Sequence, residues 1–377
     1  TFGATPEDYQ ELRNQITEDG SNRIQVYNDW IDHQISLDSS SMFELMESSV
    51  PLFSFGSTSS GLYDYNEPTY KIRRDAFWPI AIYGKDQLRQ RMAYALSQIL
   101  VISDQQATIR KADRGTSKYW DQLAENAFSF YNDTLLDVSK SPIMGTYLSH
   151  LRNQKSDPVA GTFPDENFAR EIMQLFSFGL VHRKKNGEIL LGPDNLPIST
   201  YDNNVIREMA RVFTGLAHSY RTKDGALFEN NWFQLGDLAY VEEHRWTNPM
   251  KFFTNQHDYG EKILFTDNGS TIVVPANNNH SVENAEQELR FVIDAIVAHQ
   301  TTAPFISRQL IQRFVTSNPS PAYIERVSNS FGEKGDLTSV IKAILLDPEA
   351  RNPNVASSVT FGKVKEPVLQ LTATMRL

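Results

Sequence analysis

The sequence predicts a mainly α-helical protein: one large helical domain over residues 1–377, with a small β-hairpin and long irregular insertions. Two observations carry this prediction. Apolar residues recur at the spacing of one helix face through most of the chain, and Ser, Asp or Pro residues stand where these patterns begin. The stretches between the patterns are rich in Asn and Gly, which favour turns and loops.

Three helices are predicted in the first part of the chain. The apolar face of the first consists of Leu88, Met92, Ala95, Leu96 and Ile99. A second helix is predicted from Tyr119 to Ser139. The pair Ser141-Pro142 ends it and starts the third, which runs toward His150 with Ser as its cap and Pro in its first turn.

Segment 164–180 predicts a helix with polar residues close beside its apolar face. Its buried stripe is predicted to be Phe168, Ile172, Leu175 and Phe176. The polar residues along one flank of that stripe are Asn167, Glu171 and Gln174. The following helix spans 205–216, with Asp202 as its cap and Gly215 near its end.

The C-terminal part predicts five more helices from the same signals. They run from Ser281 to about His299, from Pro304 to about Thr316, from Pro321 to Phe331, from Asp336 to Leu346, and from about Pro367 onward. Two insertions interrupt the helices. Residues 183–200 predict a hairpin that turns at Asn186-Gly187, and residues 226–280 predict a long loop insertion with short β-like runs.

The composition excludes several functional classes. The formal charge of −10 disfavours nucleic acid as a partner, and no apolar run is long enough to span a membrane. Cysteine is absent, which excludes disulfides, thiolate metal sites and cysteine nucleophiles. No nucleotide or haem motif is present, and a divalent metal is left open as a cofactor. The absence of cysteine, an aromatic content of 11% and loops rich in Asn, Ser and Thr favour an exported protein, whose signal peptide is not in the sequence given.

Five motifs together resemble the bacterial family called domain of unknown function 1800. They occur in the family's order and are, in sequence letters, ENFARE (166–171), VIREMARVFTGL (205–216), HDYGEK (257–262), FISRQL (305–310) and KEP (365–367). The resemblance implies an exported bacterial protein, often encoded beside an exported protein that resembles sulfatases. It also implies that the chain is trimmed at both ends relative to the family.

Three positions depart from the family pattern. The family often has histidines after its early helix, whereas the segment from Tyr94 to Ile99 has none. Gln174 replaces a usual glutamate, and Gln309 replaces a usual lysine. A metal site built on the family's early histidines is therefore not expected in this chain.

Glu171 is the first candidate catalytic residue because a carboxylate beside an apolar stripe needs a partner or a proton. One interpretation makes it a general acid or base, or a metal ligand. The other makes it a structural glutamate paired with Arg211 or Arg308. Its neighbour Arg170 is predicted to pair with Glu166, one helical turn earlier.

His257 and Asp258 are the other candidate catalytic residues, since they lie in the long loop region where catalytic groups are often found. Lys262, expected to pair with Asp258, joins Arg170 and Arg308 as a candidate for binding substrate or an anion. The alternative is that these motif residues only lock the loop. Neither H-E-x-x-H nor E-x-x-H occurs, so a helix-borne zinc or di-iron site is not predicted.

Three functional hypotheses stay open. The first is an extracellular enzyme that acts on a glycan or similar polymer through a carboxylate/histidine site. The second is a non-enzymatic cell-surface or matrix module. The third is a partner subunit of an exported sulfatase-like protein. They place the protein in the periplasm, at the surface or outside the cell of a bacterium.

Overall fold

Helices dominate the computed structural model, which describes residues 2–49, 69–219 and 246–377, and the predicted fold class is confirmed. The helices are α1 (Pro6–Gln15), α2 (Arg23–Ser36), α3 (Met42–Ser49), α4 (Thr69–Tyr83), α5 (Gln87–Ser97), α6 (Ala107–Arg110), α7 (Asp113–Glu125), α8 (Tyr131–Lys140), α9 (Pro142–Tyr147), α10 (Asn167–Gln174), α11 (Asn203–Val212), α12 (Val282–Ala298), α13 (Thr302–Phe314), α14 (Pro321–Phe331), α15 (Leu337–Leu346), α16 (Pro348–Arg351), α17 (Pro353–Ala356) and α18 (Pro367–Met375). Among the described helices, none is both long and apolar enough to cross a bilayer.

Helix starts follow the predicted caps. The Asp202 carboxylate accepts hydrogen bonds from the backbone of Asn204 and Val205, and Ser281 and Asp336 cap α12 and α15 in the same way. Each such cap contributes about 1 kcal/mol to helix stability. These local interactions explain why the predicted and observed starts agree so closely at these helices.

The prediction of one continuous helix from Tyr119 to Ser139 is wrong, because the structure has two helices in this range. The first, α7, ends at Glu125, and a 3₁₀ turn over Asn126–Phe128 precedes α8. The backbone N–H of Tyr131 donates instead to the carbonyl oxygen of Gly335 at 2.8 Å, and Phe130 pairs with Asp336. A contact with a distant segment therefore breaks a pattern that is continuous in sequence.

Two small antiparallel sheets lie in the second half of the chain. One pairs β1 (Leu216–Ala217) with β2 (Lys251–Phe252), and the other pairs β3 (Lys262–Asp267) with β4 (Ser270–Val274). The turn at Asn268-Gly269 has φ angles of 48° and 78°, both in the left-handed region that this hairpin turn requires. The predicted irregular insertion 226–280 thus ends in a regular hairpin, while 226–245 lies outside the described residues.

The hairpin predicted at 183–200 is present as a set of isolated bridges. The Asn186-Gly187 turn forms, with Gly187 at a φ of 83° and its N–H bonded to the Lys184 carbonyl at 2.9 Å. Two further hydrogen bonds, from Leu190 to His182 and from His182 to Ile198, align three short extended segments. We call residues 181–199 the bridge hairpin.

One large cluster of buried apolar side chains includes residues from α2 through α15. Helix α10 enters it through Phe168, whose ring stacks on His150 at 3.8 Å and meets Phe213 edge-on at 4.7 Å. Ile172 and Phe176 are buried as predicted. Leu175, the C-cap residue of α10, is not buried: its N–H still donates to the Glu171 carbonyl, but its side chain is 42% exposed.

Candidate functional site

The turn after α11 holds His257 and Asp258 in place. The Nδ1–H of His257 donates to the carbonyl oxygen of Thr214 at 2.8 Å, and the backbone N–H of Asp258 donates to Thr214 Oγ1 at 3.0 Å. Gly215 follows with a φ of 83°, and a Cβ there would lie 2.9 Å from the backbone nitrogen of His257. Only glycine permits this close approach. The motifs VFTGL and HDYGEK therefore meet through their backbones.

Arg211 of α11 binds the Asp258 carboxylate with two parallel hydrogen bonds. Its Nε lies 2.8 Å from Oδ2, and its Nη2 lies 3.1 Å from Oδ1. Burial is the largest single effect and opposes the charge on Asp258, but the hydrogen bonds from Arg211 and the Gly260 N–H, together with the charges of Arg211 and Lys262, hold the pKa of this carboxyl below its usual range. Lys262 was the predicted partner of this carboxylate, and Arg211 takes that place because its planar fork matches both oxygens.

Lys262 is completely buried at the start of β3. Its Nζ donates to the backbone carbonyls of Asp258 at 2.6 Å and Gly260 at 3.1 Å. The same Nζ lies 2.8 Å from Oε1 of Glu288, a residue of α12 whose side chain is only 7% exposed. This contact is an ion pair whose angle departs from that of a hydrogen bond. The two carbonyls accept two protons of the ammonium group, and the Glu288 carboxylate balances its charge.

His257 also faces this buried pair. Its Nε2 lies 3.6 Å from Glu288 Oε1, beyond hydrogen-bond distance, and the ring is packed edge-on against Tyr259. The side chains of His257 and Lys262 have no exposed surface. We call His257, Asp258, Lys262, Arg211 and Glu288 the motif network. Its geometry is that expected of a loop-locking network, because a ligand in solvent has no path to its imidazole or ammonium nitrogens.

Glu171 lies apart from the motif network. No hydrogen bond or ion pair joins it to His257, Asp258 or Lys262 among the described residues, and the alternative partners Arg211 and Arg308 do not bind it either. The first of these arginines is occupied by carboxylates of other residues, and the second is on α13. Glu171 Oε2 is buried without a hydrogen-bond partner. Burial raises the pKa of the Glu171 carboxyl, and the neighbouring charge of Arg170 opposes that rise.

The remaining candidates occupy separate surfaces. Arg170 makes the predicted i,i+4 pair with Glu166, at 3.4 Å between Nη2 and Oε2. Arg308 is exposed on α13. The structure thus brings together His257, Asp258 and Lys262, places Glu171 and Arg170 on α10, and leaves Arg308 elsewhere. The catalytic and ligand-binding roles of these six residues stay predictions.

An open cleft of about 530 Å³ lies between the bridge hairpin, the start of α11 and the hairpin β3–β4. Among the described residues that line it, most polar groups are neutral, and the only carboxylate is that of Asp202. The lining residues are His182, Leu190, Ile198, Ser199, Thr200, Tyr201, Asp202, Val205, Leu264, Phe265, Thr266, Asn268, Gly269 and Gln300. Sequence reasoning missed this cleft because its residues come from three distant segments that share no periodicity.

Two histidines stack at the wall of the cleft. The rings of His182 and His299 are 5.4 Å apart and nearly parallel, and His299 Nε2 lies 3.8 Å from the Asp267 carboxylate. Burial, with a smaller effect of His182, lowers the pKa of His299 to about 3. Burial also lowers the pKa of His182, against the attraction of Asp267. Both rings are therefore neutral at pH 7, so the wall beside them carries no positive charge.

Tyr201 links the cleft to α10. Its hydroxyl lies 3.4 Å from Oε1 of Gln174, which is one helical turn beyond Glu171. The Glu171 charge contributes to a raised pKa of the Tyr201 hydroxyl, after the larger effect of burial. Glu171 is thus close to the cleft wall although it does not line it. Within the described ranges, no group of three or more His, Asp or Glu side chains is arranged to hold a metal ion.

Fold and site together define a mainly α-helical protein with a buried polar network and a separate neutral cleft. The whole chain, residues 1–377, matches the family described as protein of unknown function (DUF1800), and the chain belongs to that family. No curated protein and no solved structure gives a significant match to the chain.

Proposed function

We propose that this protein is an extracellular binding module that holds a segment of a glycan or a similar polyhydroxylated polymer in the cleft. The observation that carries the proposal is the mostly neutral polar lining. Hydroxyl and amide groups of Ser199, Asn268 and Gln300 offer donors and acceptors along the cleft, as a ligand rich in hydroxyls requires. In the described part of the lining there is neither Lys nor Arg, so a neutral ligand fits the cleft better than an anion.

Aromatic side chains add a second feature that suits such a ligand. The partly buried Tyr201 lines the cleft beside the His182 ring, whereas Phe265 behind them is buried. Aromatic rings offer apolar faces at low entropic cost, while the Tyr hydroxyl stays available for hydrogen bonds. The exposed residues Ser199, Asp202 and Asn268 at its rim leave the cleft open to solvent, so a polymer could pass through it.

The motif network supports a binding role more than a catalytic one. His257 and Lys262 are buried, and their polar contacts are to the backbone and to Glu288. A catalytic base needs hydrogen-bond reach to its substrate, which these two side chains lack. An export location forms part of the same proposal, since a chain without cysteine has no thiol at risk of oxidation outside the cell.

We expect Tyr201→Ala to weaken polysaccharide binding by roughly fivefold to tenfold, because it removes an aromatic face from the cleft. Affinity electrophoresis through gels that contain soluble neutral polysaccharides measures this effect as lost retardation. The matched control is Tyr83→Ala, which removes a tyrosine that is 80% exposed and lies on α4. Equal retardation of the two variants, or no retardation of the unmodified protein by any polysaccharide, would contradict the proposal.

A second candidate function is hydrolysis of the polymer with Glu171 as general acid. The buried, unpartnered Oε2 and the raised pKa of Glu171 favour it, because a general acid must keep its proton near neutral pH. This candidate requires the polymer to reach α10 from the cleft beside Tyr201.

We expect Glu171→Gln to abolish the release of reducing ends from a bound polysaccharide and to leave the melting temperature unchanged or slightly raised. The sign follows from the pKa shift. Because the pKa of the Glu171 carboxyl is raised in the folded state, the protein loses stability as the pH rises through that pKa and the carboxyl ionises. The amide of the Glu171→Gln variant cannot ionise, so the variant does not lose this stability. Glu166→Gln is the control at the N-terminus of the same helix, since it removes only the partly exposed ion pairs with Arg170 and Arg207. If the unmodified protein releases no reducing ends, the hydrolase candidate is wrong while the binding module stands.

A further inference from the structure

Two carboxylates belong to the cleft and its wall. Asp202 lines the cleft at the start of α11, and Asp267 ends β3 between two lining residues, Thr266 and Asn268. Asp267 is also bonded to the lining: its Oδ1 accepts from the backbone N–H of Gln300 at 3.2 Å, and its Oδ2 accepts from Nδ2 of Asn268 at 3.3 Å. A ligand in the cleft is therefore close to both negative charges.

No basic side chain neutralises these carboxylates. In the part of the chain that the structure describes, neither Lys nor Arg pairs with Asp202 or Asp267. Asp202 caps α11 through Oδ1 alone, 2.8 Å from the backbone nitrogen of Asn204 and 3.0 Å from that of Val205, and no described residue donates to its Oδ2. The positive end of the helix dipole stabilises this charge without cancelling it. Because Asp202 is exposed, its Oδ2 can accept a hydrogen bond from a ligand.

The two histidines of the wall do not supply a positive charge either. Nδ1 of His299 accepts a hydrogen bond from the backbone N–H of Thr301 at 3.2 Å, so the neutral ring has its one N–H at Nε2, the atom that lies 3.8 Å from the Asp267 carboxylate. Burial keeps the pKa of His182 below its usual value despite the attraction of Asp267. The described residues of the cleft and its wall therefore carry two negative charges and no positive one.

We propose that the cleft binds a glycan whose sugar units carry protonated amino groups, and that Asp202 is the residue that recognises the amine. This inference rests on the proposed binding of a polymer in the cleft, and it specifies the chemical class of that polymer. An ammonium group donates up to three hydrogen bonds and carries the positive charge that the site lacks. In a concave site the fields of like charges add, so Asp267 strengthens the attraction from behind the wall.

The test is isothermal titration calorimetry at pH 6 with two hexasaccharides, one of N-acetylglucosamine and one of glucosamine. The two have the same linkage and length, and they differ only in whether each nitrogen is acetylated or is a protonated amine. We expect the amine form to bind roughly threefold to tenfold more tightly at low ionic strength. The difference should shrink as added salt screens the charges.

Asp202→Asn tests the assigned residue. Asparagine caps helices as well as aspartate does, so the start of α11 is kept while the charge is removed. The affinity for the amine form should fall toward that for the acetylated form, which itself should bind as before.

The matched control is Asp194→Asn. Asp194 is an exposed residue of the bridge hairpin whose Oδ1 likewise accepts from a backbone N–H, that of Leu196 at 3.1 Å, but it does not line the cleft. This variant removes the same charge from the chain and should keep the full preference for the amine. Melting curves of both variants without ligand check that the fold is intact.

Equal binding of the two hexasaccharides, or an undiminished preference for the amine in Asp202→Asn, would overturn the inference and leave the binding module standing. Tighter binding of a lysine hexapeptide than of the glucosamine hexasaccharide would also overturn it, because the cleft would then recognise a basic peptide. If neither hexasaccharide binds, the inference is wrong, and retardation by neutral polysaccharides then decides whether the proposed binding module is wrong as well.

Discussion

Lys262→Met is expected to lower the free energy of unfolding by about 3–5 kcal/mol, since it breaks a buried ion pair by removing one partner. The methionine fills the space of the lysine stem, but it leaves the Glu288 carboxylate and the carbonyls of Asp258 and Gly260 without their donor. Urea denaturation followed by circular dichroism measures the change. This is the largest effect that we expect from a single substitution in the motif network.

Two variants make the result specific. The double variant Lys262→Met with Glu288→Leu removes both charges and should recover a large part of the loss, because a buried pair replaced by apolar groups is often neutral in stability. Lys184→Met breaks the exposed pair with Glu188 and should cost less than about 1 kcal/mol. Should Lys262→Met unfold at the same urea concentration as the unmodified protein, the network would not be structural, and a functional role for Lys262 would regain support.

Lowering the pH from 7 to 5 is expected to destabilise the fold by about 3–4 kcal/mol through two buried histidines. Burial lowers the pKa of His150 to about 4, against a hydrogen bond to the Ser139 carbonyl, and lowers that of His299 to about 3. Both rings titrate near 6.5 in the unfolded chain, so protons bind the unfolded state more readily. Stability is therefore complete above pH 6.5 and falls as the pH drops toward 4.

Urea denaturation at half-unit steps from pH 7.5 to 4.5 measures this slope. The variant His299→Gln should lose about half of it, because it removes one of the two titrating rings. His33→Gln, at an exposed position on α2, should leave it unchanged. A flat stability profile between pH 7 and pH 5 would show that neither buried ring resists protonation. The lowered pKa of Asp258 also makes the protein less stable as the pH falls, but at a lower pH than the two histidines.

Much of the fold could be predicted because its signals are local. Ser320 and Pro321 start α14 as their types suggest, and Gly187 and Gly269 turn the two hairpins where a left-handed φ is needed. The break before Tyr131 could not be predicted, since its cause is the carbonyl of Gly335, about 200 residues away in sequence. Local propensity favours one continuous helix there, and a tertiary hydrogen bond overrides it.

The candidate site also has a part that could be predicted from the sequence and a part that could not. His257, Asp258 and Lys262 could be grouped in advance because they are close in sequence and in a long loop region. Their partners could not be chosen, because Arg211 and Glu288 lie on two helices whose packing decides which carboxylate each cation meets. The sequence alone does not show whether Arg211 pairs with Glu171 or with Asp258. The cleft depends wholly on how distant segments pack.

Strand β3 connects the motif network to the cleft. Its first residue is Lys262, and Leu264, Phe265 and Thr266 further along the same strand form one side of the cleft. The ion pair and hydrogen bonds of Lys262 therefore fix the start of the strand whose later residues line the cleft. Under the proposed binding role, any coupling between this anchor and the cleft is reciprocal: ligand would stabilise the buried ion pair by the same free energy by which the ion pair strengthens binding.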